Sequence, residues 1–119
     1  MKQAFEAAND NIQLLADHFE ISNLLLDVAA AIDNNDIAVL NDVFTANAVV
    51  EHSSWVHTTS QHQVCNAEIV IDGDTALGRT LCHNPNRIGG ENLYYADKFQ
   101  RTDKGWRIIE RSMRVQVRG

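Results

Sequence analysis

The apolar residues of this chain change period once, near Phe44, and that single switch limits the folds open to it. Up to Phe44 they recur every three or four residues: Ile12, Leu14, Leu15 and Phe19 form one group, and Ile21, Leu24, Leu25, Val28 and Ile32 a second. That spacing belongs to one face of a helix. A third, short helix is expected from about Ile37 to Phe44, with Ile37, Leu40, Val43 and Phe44 as its apolar face. After Phe44 the texture is that of strands. "NAVVEHSSWVHT" is rich in β-formers, "AEIVIDGD" alternates and ends in a glycine-containing turn, and "TALGRTLCH" follows as its hairpin partner. "NPNRIGG" marks a turn, and "ENLYYADKFQRT", "DKG" and "WRIIERSMRVQV" make a second long hairpin. Helices first and antiparallel strands afterwards give an α+β domain, with helices packed on one face of a curved sheet. A single domain is expected over residues 1–119, without repeat or linker.

Composition removes several function classes. The formal charge of −6 argues against a nucleic-acid surface, which needs clustered Lys and Arg. The basic residues that do cluster, Arg107, Arg111, Arg114 and Arg118, are expected to form the solvated face of the last strand. No run of about 20 apolar residues could span a membrane, and the start lacks the pattern of a signal peptide, so a cytoplasmic protein is expected. Cys65 and Cys82 lack zinc or redox spacing and are read as reduced and buried. "DGD" at 72–74 is a turn, not an EF-hand. Neither a metal nor an organic cofactor is implied.

One residue resists a purely structural explanation. In "AIDNNDIAVLNDVF", residues 31–44, Asp36 is a good N-cap for the short helix, because its carboxylate can bond a free N–H of the first turn. Asn34 and Asn35 tolerate the left-handed backbone that ends the preceding helix. Asp33 is left over, unless it too serves the helix end or an Asx-turn.

"LLLDVAAAIDNNDIAVLNDVFTANAVVE", "HQVCNAEIVIDGDTALGR" and "YADKFQRTDKGWRIIER" together resemble the SnoaL-like proteins of the nuclear-transport-factor-two-like superfamily, over nearly the whole chain from about residue 10. The resemblance implies a cystatin-like cone: a strongly bent antiparallel sheet wraps the N-terminal helices and leaves an apolar pocket at its open end. In the dehydratase and dehydrochlorinase branch that pocket holds an Asp–His pair, which here would be Asp33 and His62. It also implies a self-association into a homodimer or homotrimer, and a small apolar molecule as the pocket's occupant. Two departures accompany the match. Related dehydratases carry a Tyr where this chain has Val28, and they have some twenty more residues between the first strand and the His, which "EHSSWVHTTSQH" here replaces.

An Asp–His pair has a physical logic of its own. Imidazole, with an unperturbed pKa of about 6.5, can take a proton and return it within one cycle. A carboxylate on its far nitrogen fixes the tautomer and stabilises the imidazolium. The chemistry expected is abstraction of a proton from carbon and loss of a hydroxyl or halide from the neighbouring carbon. Trp55, Tyr94, Tyr95 and Trp106 are expected in the core or pocket wall, and His52 on a strand that can face the pocket. Val28, His52, Trp55, Tyr94 and Trp106 are thus the candidate substrate contacts. Three readings remain at this point: a cofactor-independent lyase or isomerase, a non-catalytic binder of a small hydrophobic ligand, and an oligomeric scaffold of the same fold.

Overall fold

The computed structural model describes residues 2–50, 63–84 and 91–116. His52, Trp55 and His62, and the turn expected at "NPNRIGG" from Pro85 to Gly90, lie outside the described residues. The elements run α1 (Lys2–Asn34), α2 (Ile37–Val43), β1 (Phe44–Val50), β2 (Gln63–Asp72), β3 (Thr75–Asn84), β4 (Glu91–Thr102) and β5 (Gly105–Gln116). The two apolar groups before Asn34 are not two helices but successive parts of one continuous 33-residue helix. No Gly or Pro interrupts it, so nothing in the backbone chemistry ends the first group before the second begins.

Asn35 ends α1 with φ 54°, in the left-handed region that Asn adopts more readily than most residues. The Asp36 N–H then donates to the Ala31 carbonyl at 2.8 Å, and its side chain accepts from the Val39 N–H at 3.2 Å. The turn between α1 and α2 is thereby closed from both sides by the residues expected to close it.

The sheet order is β1-β5-β4-β3-β2. β2 to β5 form an antiparallel meander, whereas β1 joins the edge of β5 in parallel. Bulges leave Cys65 in β2 and Ile109 in β5 without a direct partner. A bulge bends its strand and raises the local twist, which helps a sheet to curl.

The principal core lies where the inner face of this sheet meets α1. Ile21, Leu24, Leu25 and Val28 of α1 and Val43 of α2 pack on Ala76, Phe99, Trp106 and Ile108. Each large side chain fully buried here contributes about 1.5–3 kcal/mol. Gly78 belongs to this packing: a Cβ at that position would lie 2.7 Å from the Phe99 ring.

The narrow end is held by charge. Asp17, buried on α1, accepts from both Arg101 terminal nitrogens at 2.8 Å, from the Trp106 indole N–H at 3.1 Å and from Gln13 at 2.9 Å. Arg101 also reaches Asp74 at 2.9 Å and stacks 4.6 Å above the Trp106 ring. These bonds, Arg101 first, hold the Asp17 carboxyl well below the usual carboxylate range despite its burial. Beside them the Trp106 backbone N–H donates to Glu20. Gly105, with φ 103°, makes that approach possible, because a Cβ there would meet the Glu20 carboxylate at 2.8 Å. Among the described residues no helix is long and apolar enough to cross a membrane.

Candidate functional site

Towards the other end of the inner face the packing changes character. Cys82, Leu93, Tyr95 and Met113 form a second, smaller buried cluster, and charged groups stand among them. Asp97 and Arg111 are direct cross-strand partners, as are Tyr95 and Met113, so register alone brings the four together on one face. The Arg111 guanidinium donates to the two Asp97 carboxylate oxygens at 2.7 and 3.1 Å, with both side chains almost wholly excluded from solvent. Its central carbon lies 4.0 Å from the centre of the Tyr95 ring, a cation–π contact.

Burial dominates the electrostatics of this cluster. It pushes the Asp97 carboxyl above its ordinary value, and the charge and hydrogen bonds of Arg111 draw it back only in part. It likewise pushes the Tyr95 phenol up to about 12, against the pull of Arg111, with Cys82, Asp97 and Asp33 adding to the rise. Tyr95 is therefore a protonated donor at neutral pH. The Thr80 hydroxyl, on β3 directly opposite Tyr95, is buried and has no hydrogen-bond partner among the described residues. A buried polar group without a partner costs free energy and calls for a functional or solvent explanation.

Of the residues expected from sequence, Asp33 is half-buried in the last turn of α1, and its charge adds to the rise of the Tyr95 phenol. β2 begins at Gln63, the residue after His62, and Gln63 pairs with His83, next to Cys82 of the cluster. Val28 and Trp106 are instead fully buried in the principal core, and the Trp106 indole is committed to Asp17. Tyr94 is a correction: it lies on the outer face of the sheet beneath Arg79, 4.4 Å from its ring centre, and Tyr95 takes the inner face. The reason is the two-residue period of a strand, which sends adjacent tyrosines to opposite faces.

Arg111 is a second correction. Expected on a solvated face with Arg107, Arg114 and Arg118, it is buried against Asp97. The available signal was the in-phase series Leu93, Tyr95, Asp97 and Phe99, an acid at an inward position that demands a cation opposite it. Cys82 is buried, as expected from the sequence. Among the described residues no three His, Cys, Asp or Glu side chains come together as a metal site.

A SnoaL-like domain is matched over residues 13–112. An uncharacterised protein of Mycobacterium tuberculosis is 32% identical over 123 positions, covering 82% of this chain and 84% of its own length. Those 123 positions take in only 82% of 119 residues, so roughly 25 positions of the relative have no counterpart here. Among solved structures, a nuclear-transport-factor-two-like protein with a cystatin-like fold from Novosphingobium aromaticivorans superposes with a TM-score of 0.75 at 20% identity, covering 89% of this chain and 86% of that one. A proposed dehydratase of the same fold family from Streptomyces avermitilis gives 0.70 at 14% identity, covering 82% and 95%. The long helix, the curled sheet with its charged inner end, and a match over most of the sequence lead to one conclusion: the chain belongs to the SnoaL-like family and has the nuclear-transport-factor-two-like, cystatin-like fold.

Proposed function

We propose that the protein is a cofactor-independent lyase or isomerase acting on a small, largely apolar substrate, with its site at the Asp33 end of the cone. The observation that carries this reading is the cluster of Arg111, Asp97, Tyr95 and Thr80 on an otherwise apolar inner face. A buried ion pair is a poor device for stability, since well-packed apolar residues of similar volume often do as well or better. An orphaned hydroxyl beside it stabilises nothing. Groups that cost the fold free energy in a concave interior are candidates for chemistry.

The roles follow from the chemistry of each group. His62 takes the proton from a substrate carbon, and Asp33 orients its imidazole and stabilises the cation that forms. The electron pair left on carbon moves toward an adjacent carbonyl oxygen, where Arg111 and the protonated Tyr95 offset the growing negative charge. For a lyase, a hydroxyl or halide then leaves the neighbouring carbon with its bonding pair, and His62 returns the proton to a leaving hydroxyl. For an isomerase, His62 returns it to a different carbon. Thr80 offers a further donor to a substrate oxygen. The proposed dehydratase from Streptomyces avermitilis attaches the same class of reaction to the same fold, which supports the reading.

Proton abstraction from carbon can be tested before the substrate is known. Incubating the protein in D2O with a panel of small apolar ketones and β-hydroxy ketones is expected to wash deuterium into the α-carbon of at least one of them. Proton NMR would follow the loss of signal. Exchange should fall by at least about 100-fold in His62→Ala, the usual scale of general-base catalysis. Saturable binding of these compounds with no exchange above the buffer rate would instead identify a binding module.

A further inference from the structure

One buried charge takes no part in the proposed proton transfer. Asp97 stands at an inward position of β4, with Gly78 of β3 and Arg111 of β5 as its direct cross-strand partners. Its side chain is wholly excluded from solvent and that of Arg111 is only 3% exposed, so water screens neither charge. A carboxylate kept in such a place is costly for the fold, and the ion pair it makes brings little stability in return.

What Asp97 does to Arg111 is specific. Its carboxylate oxygens occupy Nε and Nη2 of the guanidinium, at 2.7 and 3.1 Å, and the Tyr95 ring lies 4.0 Å from the guanidinium carbon. Nη1 is left, with no hydrogen-bond partner among the described residues. Because the guanidinium is a rigid planar fork, fixing two of its nitrogens also fixes the direction of the third. Asp97 therefore aims Nη1 and cancels the charge behind it. A buried guanidinium without that carboxylate would bind any anion that reached it. With Asp97 in place, Arg111 offers its donors without net charge, beside the protonated Tyr95 phenol, on which the Asp33 carboxylate already acts.

We infer that Asp97 is a positioning residue that sets the specificity of the site: by neutralising Arg111 it admits an uncharged carbonyl compound and turns away the matching carboxylate. The inference rests on the enzyme reading above and narrows its substrate class. A carboxylate would bring a second anion to a cation that already has one, and Asp33 would make a third, in surroundings where like charges are poorly screened. A neutral carbonyl brings only a dipole, which Nη1 and the Tyr95 hydroxyl can meet as donors. The reaction keeps that balance. As the C–H bond breaks and its electron pair moves to the carbonyl oxygen, the proton makes a cation of the His62 imidazole, so the net charge of the site is unchanged. From an acid, the same step would create a dianion on the substrate.

Acetophenone and benzoate are nearly the same size and shape, one a neutral carbonyl and the other a carboxylate. Heteronuclear NMR titration of the full chain with each gives both dissociation constants without requiring turnover. The native protein is expected to bind acetophenone at least about 100-fold more tightly than benzoate, the scale of a like-charge contact in a buried site. Asp97→Asn removes the cancelling charge and keeps an acceptor for the guanidinium, and should shift that ratio toward benzoate by at least about 10-fold. A variant damaged only in its packing would lose both ligands alike. Thermal melts give a second reading should Asp97→Asn be marginally folded: benzoate should raise its midpoint and leave the native midpoint where it was. Native protein that binds benzoate as tightly as acetophenone, or binds neither, overturns the inference, and so does a ratio unaltered in Asp97→Asn. The enzyme reading is judged separately. Deuterium exchange into acetophenone alongside equal binding of the two compounds would refute the charge selection alone. Selective binding with no exchange in any ketone would refute the enzyme and leave the charge selection as that of a binding module.

Discussion

Arg111→Ala is expected to lower the free energy of unfolding by about 3–5 kcal/mol, read from urea denaturation. The substitution leaves the Asp97 carboxylate buried and uncompensated, and this orphan charge, more than the lost attraction, sets the size of the effect. It also removes the cation from the Tyr95 ring. The paired replacement separates structure from function. Asp97→Leu with Arg111→Met removes both charges and fills similar volume, so its stability should return to within about 2 kcal/mol of the native value or exceed it. Deuterium exchange should nonetheless fall by at least about 100-fold in this stable protein, the scale of losing a group that stabilises an oxyanion. If the double variant exchanged substrate deuterium at the native rate, Arg111 would have no part in the chemistry.

Acid sensitivity is the second large effect, and Asp17 is its source. Its carboxyl lies well below the ordinary value of 3.8 in the folded chain, chiefly because Arg101 bonds both its oxygens. A depressed folded pKa means that the stabilisation is fully present above the unfolded pKa. It is lost as pH falls from about 4 toward the folded value. Asp17→Asn should therefore be less stable than the native protein at neutral pH by about 1.5–3 kcal/mol, the range of charge-assisted hydrogen bonds. Arg101 is a third exposed to water, which keeps the figure below that of a fully buried pair. Thermal melts on descending from pH 5 should show the native midpoint falling faster than the variant's, so that the two converge. Parallel curves would place the acid-sensitive group elsewhere.

How much of this was legible in the sequence depended on how local the deciding interaction is. The Asp36 cap, the left-handed Asn35, the two hairpins and the short helix were legible because each is specified within a few residues. Asp33 stood out for the complementary reason, as the acid that local punctuation did not need. The continuity of α1 was harder: two successive apolar groups on one helix read as two helices, because periodicity reports spacing and not where an element ends. The buried Arg111 was hidden by a single residue. Strict alternation from Trp106 and Ile108 would turn Glu110 and Ser112 inward, but the bulge at Ile109 shifts the phase, so that Arg111 and Met113 face the interior. Nothing in "WRIIERSM" announces that bulge. The same one-residue phase decided between Tyr94 and Tyr95, and the parallel seat of β1 on β5 depends on contacts some 60 residues apart in sequence.

The coupling of His62 to Asp33 is the core of the functional reading, and NMR titration of the His62 imidazole protons, in the native protein and in Asp33→Asn, measures it directly. His62 is expected to titrate above about 6.5 in the native protein, because a nearby carboxylate favours the charged ring, and the elevation to disappear in the variant. An unshifted His62 in both proteins would contradict it: Asp33 would then be helix punctuation, and the cone a binding or assembly scaffold.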